Sequence, residues 1–145
     1  MKAVRAMLAS LGLGGQRPGK SLISADDPTL EVVVTSYDET EAASAALDRS
    51  SGWRPDEPAV LRHHLALPCD VIDTVRPLLA QDDWELRSAE PGSATAPGDS
   101  GAFVAVRVQQ LDALHCSQES SRMASLAQRH GGRALGWDAL QPGFS

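Results

Sequence analysis

The chain reads as an α+β domain, and three features predict it. Residues 60–67 and 101–111 are apolar-rich runs, the latter rich in valine, whose side chains alternate between two faces as strand side chains do. Residues 70–82 and 112–130 instead place their apolar side chains at helical spacing. At 145 residues the chain is long enough for one core, and its 42% hydrophobic content is ordinary for one.

The elements follow in chain order. Residues 1–28 form a basic N-terminal arm and linker: Lys2, Arg5, Arg17 and Lys20 occur in the first 25 residues without a single acid. Residues 2–11 suit a short helix, and the Gly- and Pro-rich stretch after them suits a linker. Leu30-Glu31-Val32-Val33-Val34-Thr35 is β-branched and short, so a strand is expected. Asp38 with Glu41 three residues later resembles a capping box for a helix carried by Ala42, Ala43, Ala45, Ala46 and Leu47. Ser51-Gly52 ends it.

A two-proline connector follows, Trp53-Arg54-Pro55-Asp56-Glu57-Pro58. In the next strand, Leu61, His63, Leu65 and Leu67 share one face, while Arg62, His64 and Ala66 share the other. Pro68 or Asp70 opens a helix whose stripe is Val71, Ile72, Val75, Leu78 and Leu79, with a kink or early stop expected at Pro77. Residues 84–87 suit a third strand, residues 89–100 a mobile hairpin loop, and residues 101–111 the strongest strand.

The last helix lies within 112–130, most securely from Ser117, with Met123, Leu126, Ala127 and His130 as its buried stripe. Gly131-Gly132 stops it, because the residue after a final turn usually needs positive φ. Gly136 then precedes Trp137, which is expected to dock on the core, and residues 133–138 suit a short edge strand. These residues, with His63 buried on a hydrogen bond, are expected to be structural. From residue 59 the order β-α-β-β-α-β is that of a ferredoxin-like split β-α-β sheet with helices on one face. Residues 29–58 are then a strand-helix extension, 59–140 the main domain and 141–145 a tail.

Charge narrows the function. The net charge is −6, and residues 26–59 hold nine acids against Arg49 and Arg54. Such a chain lacks the positive field that phosphate binding needs, so no direct nucleic-acid binding is expected. A basic protein partner fits better, with Asp38, Glu39, Glu41, Asp48, Asp56, Glu57, His64 and Trp53 as candidate contacts. Trp53 qualifies if its ring is exposed.

No catalytic signature stands out. His63-His64 point to opposite faces, and His115-Cys116 are likewise adjacent, so neither pair suits a tetrahedral metal site. No metal and no cofactor are expected, and Cys116 reads as a buried structural thiol. Two cysteines give no disulfide framework, which fits a reducing cytoplasm. No apolar run reaches the ~20 residues needed to span a bilayer.

Over residues 40–140 the chain resembles the RraB-domain proteins, bacterial regulators of ribonuclease E activity. Arg62-His63-His64-Leu65 matches a Glu-His-His-Leu run of that family, and Ala134-Leu135-Gly136-Trp137 stands where the family has roughly Tyr-Asp-Gly-Trp. Ala134 and Leu135 therefore remove a hydroxyl and a carboxylate. The resemblance implies a ferredoxin-like fold, no catalysis, and binding to the non-catalytic scaffold region of ribonuclease E, which restrains RNA decay. Two alternatives stand beside it. One is an accessory subunit or adaptor of another assembly that docks through its N-terminal arm. The other is a small-molecule or metal sensor using His63 and His64.

Overall fold

The computed structural model describes residues 23–89 and 100–143. The elements are β1 (Leu30–Ser36), α1 (Ala43–Asp48), β2 (Pro58–Pro68), α2 (Ile72–Ala80), β3 (Glu85–Ser88), β4 (Ser100–Gln110), α3 (Ala113–Arg129) and β5 (Arg133–Pro142). The five strands form one antiparallel sheet in the order β1-β5-β2-β4-β3. The strand-helix extension is thus an extension of the same sheet, because β1 pairs with β5.

β2 explains the layering. Leu61, His63, Leu65 and Leu67 are each at most 2% exposed. They face a core built with Ala46 and Leu47 of α1, Val75 and Leu79 of α2, and Cys116, Met123, Leu126 and Ala127 of α3. All three helices therefore cover one face of the sheet. Arg62, His64 and Val60 lie on the other, where a smaller cluster joins Val60, Val104 and Val106 to Ile23, Ala25, Leu30, Ala89 and Leu140. Burying one large aliphatic side chain is worth roughly 1.5–3 kcal/mol, so the helix-covered face carries most of the stability.

Several elements differ from the sequence reading. Asp38 is not a helix N-cap. Its carboxylate accepts bonds from the backbone N–H and hydroxyl of Thr40, a local turn that competes with capping. The helix begins five residues later, with Ala42 at its N-cap and no side-chain cap. Glu41 turns instead to Arg49. A short 3-10 turn, Cys69–Val71, leads into α2, which continues three residues past Pro77 to Ala80. Pro77 is tolerated near the helix end, and Leu78 stays partly exposed. Trp84 is buried just before β3, which runs one residue later than expected.

α3 lies within the expected 112–130 and starts at Ala113, where Asp112 caps it, accepting the His115 N–H at 2.7 Å. His130 is only half-buried, its ring bonded to the Leu126 carbonyl. The loop expected at 89–100 lies outside the described residues from 90 to 99.

The largest correction concerns β5. It is ten residues long and interior, hydrogen-bonded to β1 on one side and β2 on the other, not a short edge. The tail set at 141–145 therefore begins inside this strand, which runs through Pro142. The double glycine sets its entry. Gly131 has φ +82°, the Gly131 N–H reaches the Gln128 carbonyl and the Gly132 N–H the Ala127 carbonyl, which is a Schellman end. A Cβ on Gly132 would lie 2.1 Å from the Ala66 carbonyl oxygen, so only glycine lets β5 start flush against β2.

Candidate functional site

The open face of the sheet carries one concentrated polar cluster. Arg62 and His64 alternate onto that face from β2, and register places Asp138 of β5 directly opposite Arg62. Tyr37 reaches in from the end of β1. Asp138 is 2% exposed, yet both of its oxygens are occupied. Arg62 binds it as a fork, Nε to Oδ1 at 2.7 Å and an Nη to Oδ2 at 2.7 Å. The Tyr37 hydroxyl donates to Oδ2 at 2.8 Å, and His64 Nε2 lies 3.2 Å from it. The Tyr37 and His64 rings meet edge to face at 5.6 Å.

Gly136 makes this possible. It sits opposite His64 with φ +130°, and a Cβ there would lie 2.6 Å from both the Ser36 carbonyl and the Tyr37 ring. Glycine therefore allows Tyr37 to fold over the strand. Leu135 is the extra residue of a bulge between His64 and Leu65.

The electrostatics follow from this packing. Burial alone would raise the Asp138 carboxyl, but hydrogen bonds from His64, Arg62 and Tyr37 outweigh it and hold the group well below the usual carboxylate range. Burial, then the bond to Asp138, pushes the Tyr37 phenol up to about 12. The bond to Asp138 raises Arg62 further. Near neutral pH, Asp138 is thus a saturated carboxylate and Tyr37 a neutral phenol, groups suited to holding shape and displaying donors.

The sequence reading singled out only His64 of these four. Arg62 was placed on the same face but given no role, and Tyr37 and Asp138 were missed. The Gly136-Trp137-Asp138 run was the one available signal, since alternation sends Asp138 away from the buried Trp137.

The proposed contact acids do not converge on this cluster. Asp38, Glu39, Asp48 and Asp56 are exposed and form no ion pair among the described residues. Glu41 binds Arg49, which also donates to the Thr35 carbonyl. Glu57 binds Arg54, which donates to the Pro142 carbonyl. Thr35 and Pro142 mark opposite ends of the β1–β5 ladder, so the acids are spread along this side of the sheet. Trp53 is half-buried and packs on the core, and its ring N–H has no partner among the described residues.

His63 is 2% exposed beside Trp84, ring centroids 5.2 Å apart, and its Nε2 has no hydrogen-bond partner among the described residues. Burial first, then the nearby charge of Arg107, pushes its pKa down to about 3. Between about pH 6.5 and about 3, the unfolded chain binds a proton that the folded chain excludes. Stability is therefore lost as pH is lowered through that window, by roughly 1.4 kcal/mol per unit at most. His63→Leu should flatten this limb and leave stability at pH 7 within about 1.5 kcal/mol of the parent. Urea titrations at pH 7, 6 and 5 check it.

On the helix side, α3 packs against α1 and leaves a groove of about 760 Å3 beside the end of α2. Leu79, Trp84, Met123 and Leu126 form its apolar lining, with Asp82 and Asp83 on the α2 side. The Arg107 guanidinium lies 4.2 Å over the Trp84 ring and pairs with the buried Glu119. Burial pushes the Cys116 thiol up to about 12, which makes it a poor nucleophile at neutral pH. Among the described residues no group of three or more His, Cys, Asp or Glu could hold a metal ion, and no helix is long and apolar enough to cross a membrane.

Comparison with family models, with curated proteins and with solved structures finds no match to this chain.

Proposed function

We propose that the chain is a non-catalytic, protein-binding regulator of the RraB type, which modulates RNA decay by engaging a basic segment of a protein partner such as the ribonuclease E scaffold region. The observation that carries this reading is the set of exposed acids Asp38, Glu39, Asp48 and Asp56, none paired among the described residues, in a chain of net charge −6. Such a surface attracts basic polypeptide and repels nucleic acid. The element order β2-α2-β3-β4-α3-β5 in one antiparallel sheet, with α2 and α3 on one face, supports a ferredoxin-like reading and with it the family resemblance. Saturation of Asp138 and the high pKa of Tyr37 favour a binding role over acid-base chemistry at that cluster.

The test is capture from bacterial cytoplasm on the tagged full-length chain, eluted with rising salt, followed by titration of the captured partner. If the acids drive binding, affinity should weaken roughly tenfold or more between 50 and 500 mM salt, where the screening length shrinks severalfold. Charge-neutral Asp38→Asn, Glu39→Gln, Asp48→Asn and Asp56→Asn together should reproduce the high-salt affinity at low salt. Salt-insensitive binding removes the acidic surface from the account. Capture of an unrelated assembly removes ribonuclease E.

A further inference from the structure

A small cavity of about 220 Å3 lies on the open face of the sheet, beside the cluster built on Asp138. Its two ends differ in chemistry. Strand register sets three donors at one end. His64 of β2 and Arg87 of β3 stand on either side of Val104, and Arg62 stands beside Val106, the next residue on the same face. The other end is aliphatic. Val60 and Leu140 are paired there across β2 and β5, and Leu30 packs against them.

Charge sets this cavity apart from the rest of the surface. Among the described residues no acid lines it, although the chain has a net charge of −6. The carboxylates that pair with its two arginines stand outside its walls. Asp138 is buried on the β5 side of Arg62, while Asp26 and Glu85, which hold Arg87, keep side-chain exposures of 77% and 63%. Arg62 spends Nε and one Nη on Asp138. Its other Nη, like Nδ1 of His64, makes no hydrogen bond among the described residues. A guanidinium against an apolar wall binds a carboxylate more strongly than a neutral acceptor, because the bond is charge-assisted and poorly screened. At ~30 Å3 per water the cavity has the volume of about seven waters. That admits a carboxylate with a short branched chain and is too little for a nucleotide.

We propose that this cavity binds a small aliphatic carboxylate, its anionic head over Val104 between Arg62, His64 and Arg87 and its branched tail on Val60, Leu140 and Leu30. The site uses none of the exposed acids, so it stands apart from the partner-binding reading. Ala25 and Leu30 belong to the segment that leads into β1, and both line the cavity. A bound ligand therefore ties that segment to the sheet, where the Asp26–Arg87 pair at 2.9 Å already holds it.

Isovalerate titrated into the isotope-labelled full-length chain, followed by amide NMR shifts, tests this. Saturable shifts are expected, centred on Arg87, Val104, Val106 and Leu140, with a Kd of about 1 mM or tighter. Isovaleramide keeps the shape without the charge, and acetate keeps the charge without the tail. Each should bind roughly tenfold more weakly or worse. Arg87→Gln should weaken isovalerate roughly fivefold or more, and the fold should hold because Arg87 pairs with exposed carboxylates. Ala89→Leu, which fills the cavity from its wall, should abolish binding. Amide exchange in residues 25–30 should slow severalfold when isovalerate is bound. The proposal is overturned by the absence of saturable shifts below about 10 mM, by equal binding of isovalerate and isovaleramide, or by shifts centred on another face. A Kd that neither substitution moves would overturn it as well.

Discussion

Asp138→Ala should cost about 3 kcal/mol of folding stability, measured by urea denaturation at pH 7. Removing one partner of a buried ion pair strands the other, and such losses run to roughly 3–5 kcal/mol. The low end applies because the Arg62 side chain keeps 32% exposure and can turn toward water. The Tyr37 phenol and His64 lose their shared acceptor as well. The pH dependence carries a second signature. The folded pKa of Asp138 lies below its unfolded value near 3.9, so its stabilisation is complete above that value and is lost as pH falls beneath it. The parent should therefore lose stability more steeply than Asp138→Ala on acidification below about pH 4, in addition to the His63 limb that both share. A loss under about 1 kcal/mol at pH 7 would reduce the cluster to a surface contact.

Trp137→Ala should cost about 3–5 kcal/mol, the range for a large buried aromatic. The ring is 3% exposed on the helix-covered face, with His63 beside it on β2 and Ser36 beside it on β1. The side chain therefore buries surface against both neighbouring strands as well as the core above them. Denaturation midpoints at unchanged m-value would measure it. A loss below about 1 kcal/mol would place the residue among ordinary surface substitutions.

The parts legible in the sequence are those whose signal is local. β2 could be read residue by residue, because a strand with one buried face must alternate, and Leu61, His63, Leu65 and Leu67 do. The same holds for Met123, Leu126 and Ala127 on α3, and for the glycine pair that ends it. β5 was shortened because Gly136 and Asp138 interrupt its apolar pattern, and nothing local says that it pairs on both sides. Asp138 stayed hidden for a related reason. It is 76 residues from Arg62, and only strand register brings them together. Gln141 is a parallel case. Its fully buried amide holds the backbone of Arg54, Glu57 and Pro58, a role that no neighbouring residue announces. The Asp38 turn shows the opposite limit, where a good local motif has two readings and Thr40 decides between them.

The bulge in β1 has a consequence for how the molecule behaves in a crowded solution. β1 is an outer strand, rich in valine, with Val32 49% exposed, and such a strand invites pairing with another copy. Val33 is an unpaired extra residue between Val32 and Val34, which breaks the straight row of main-chain groups that a second strand would need. Arg49 occupies the Thr35 carbonyl a little further on. At the opposite border β3 is only four residues long. Both borders are thus poor templates for fibre growth, and the chain can keep a valine-rich sheet without the aggregation that such a sheet would otherwise seed.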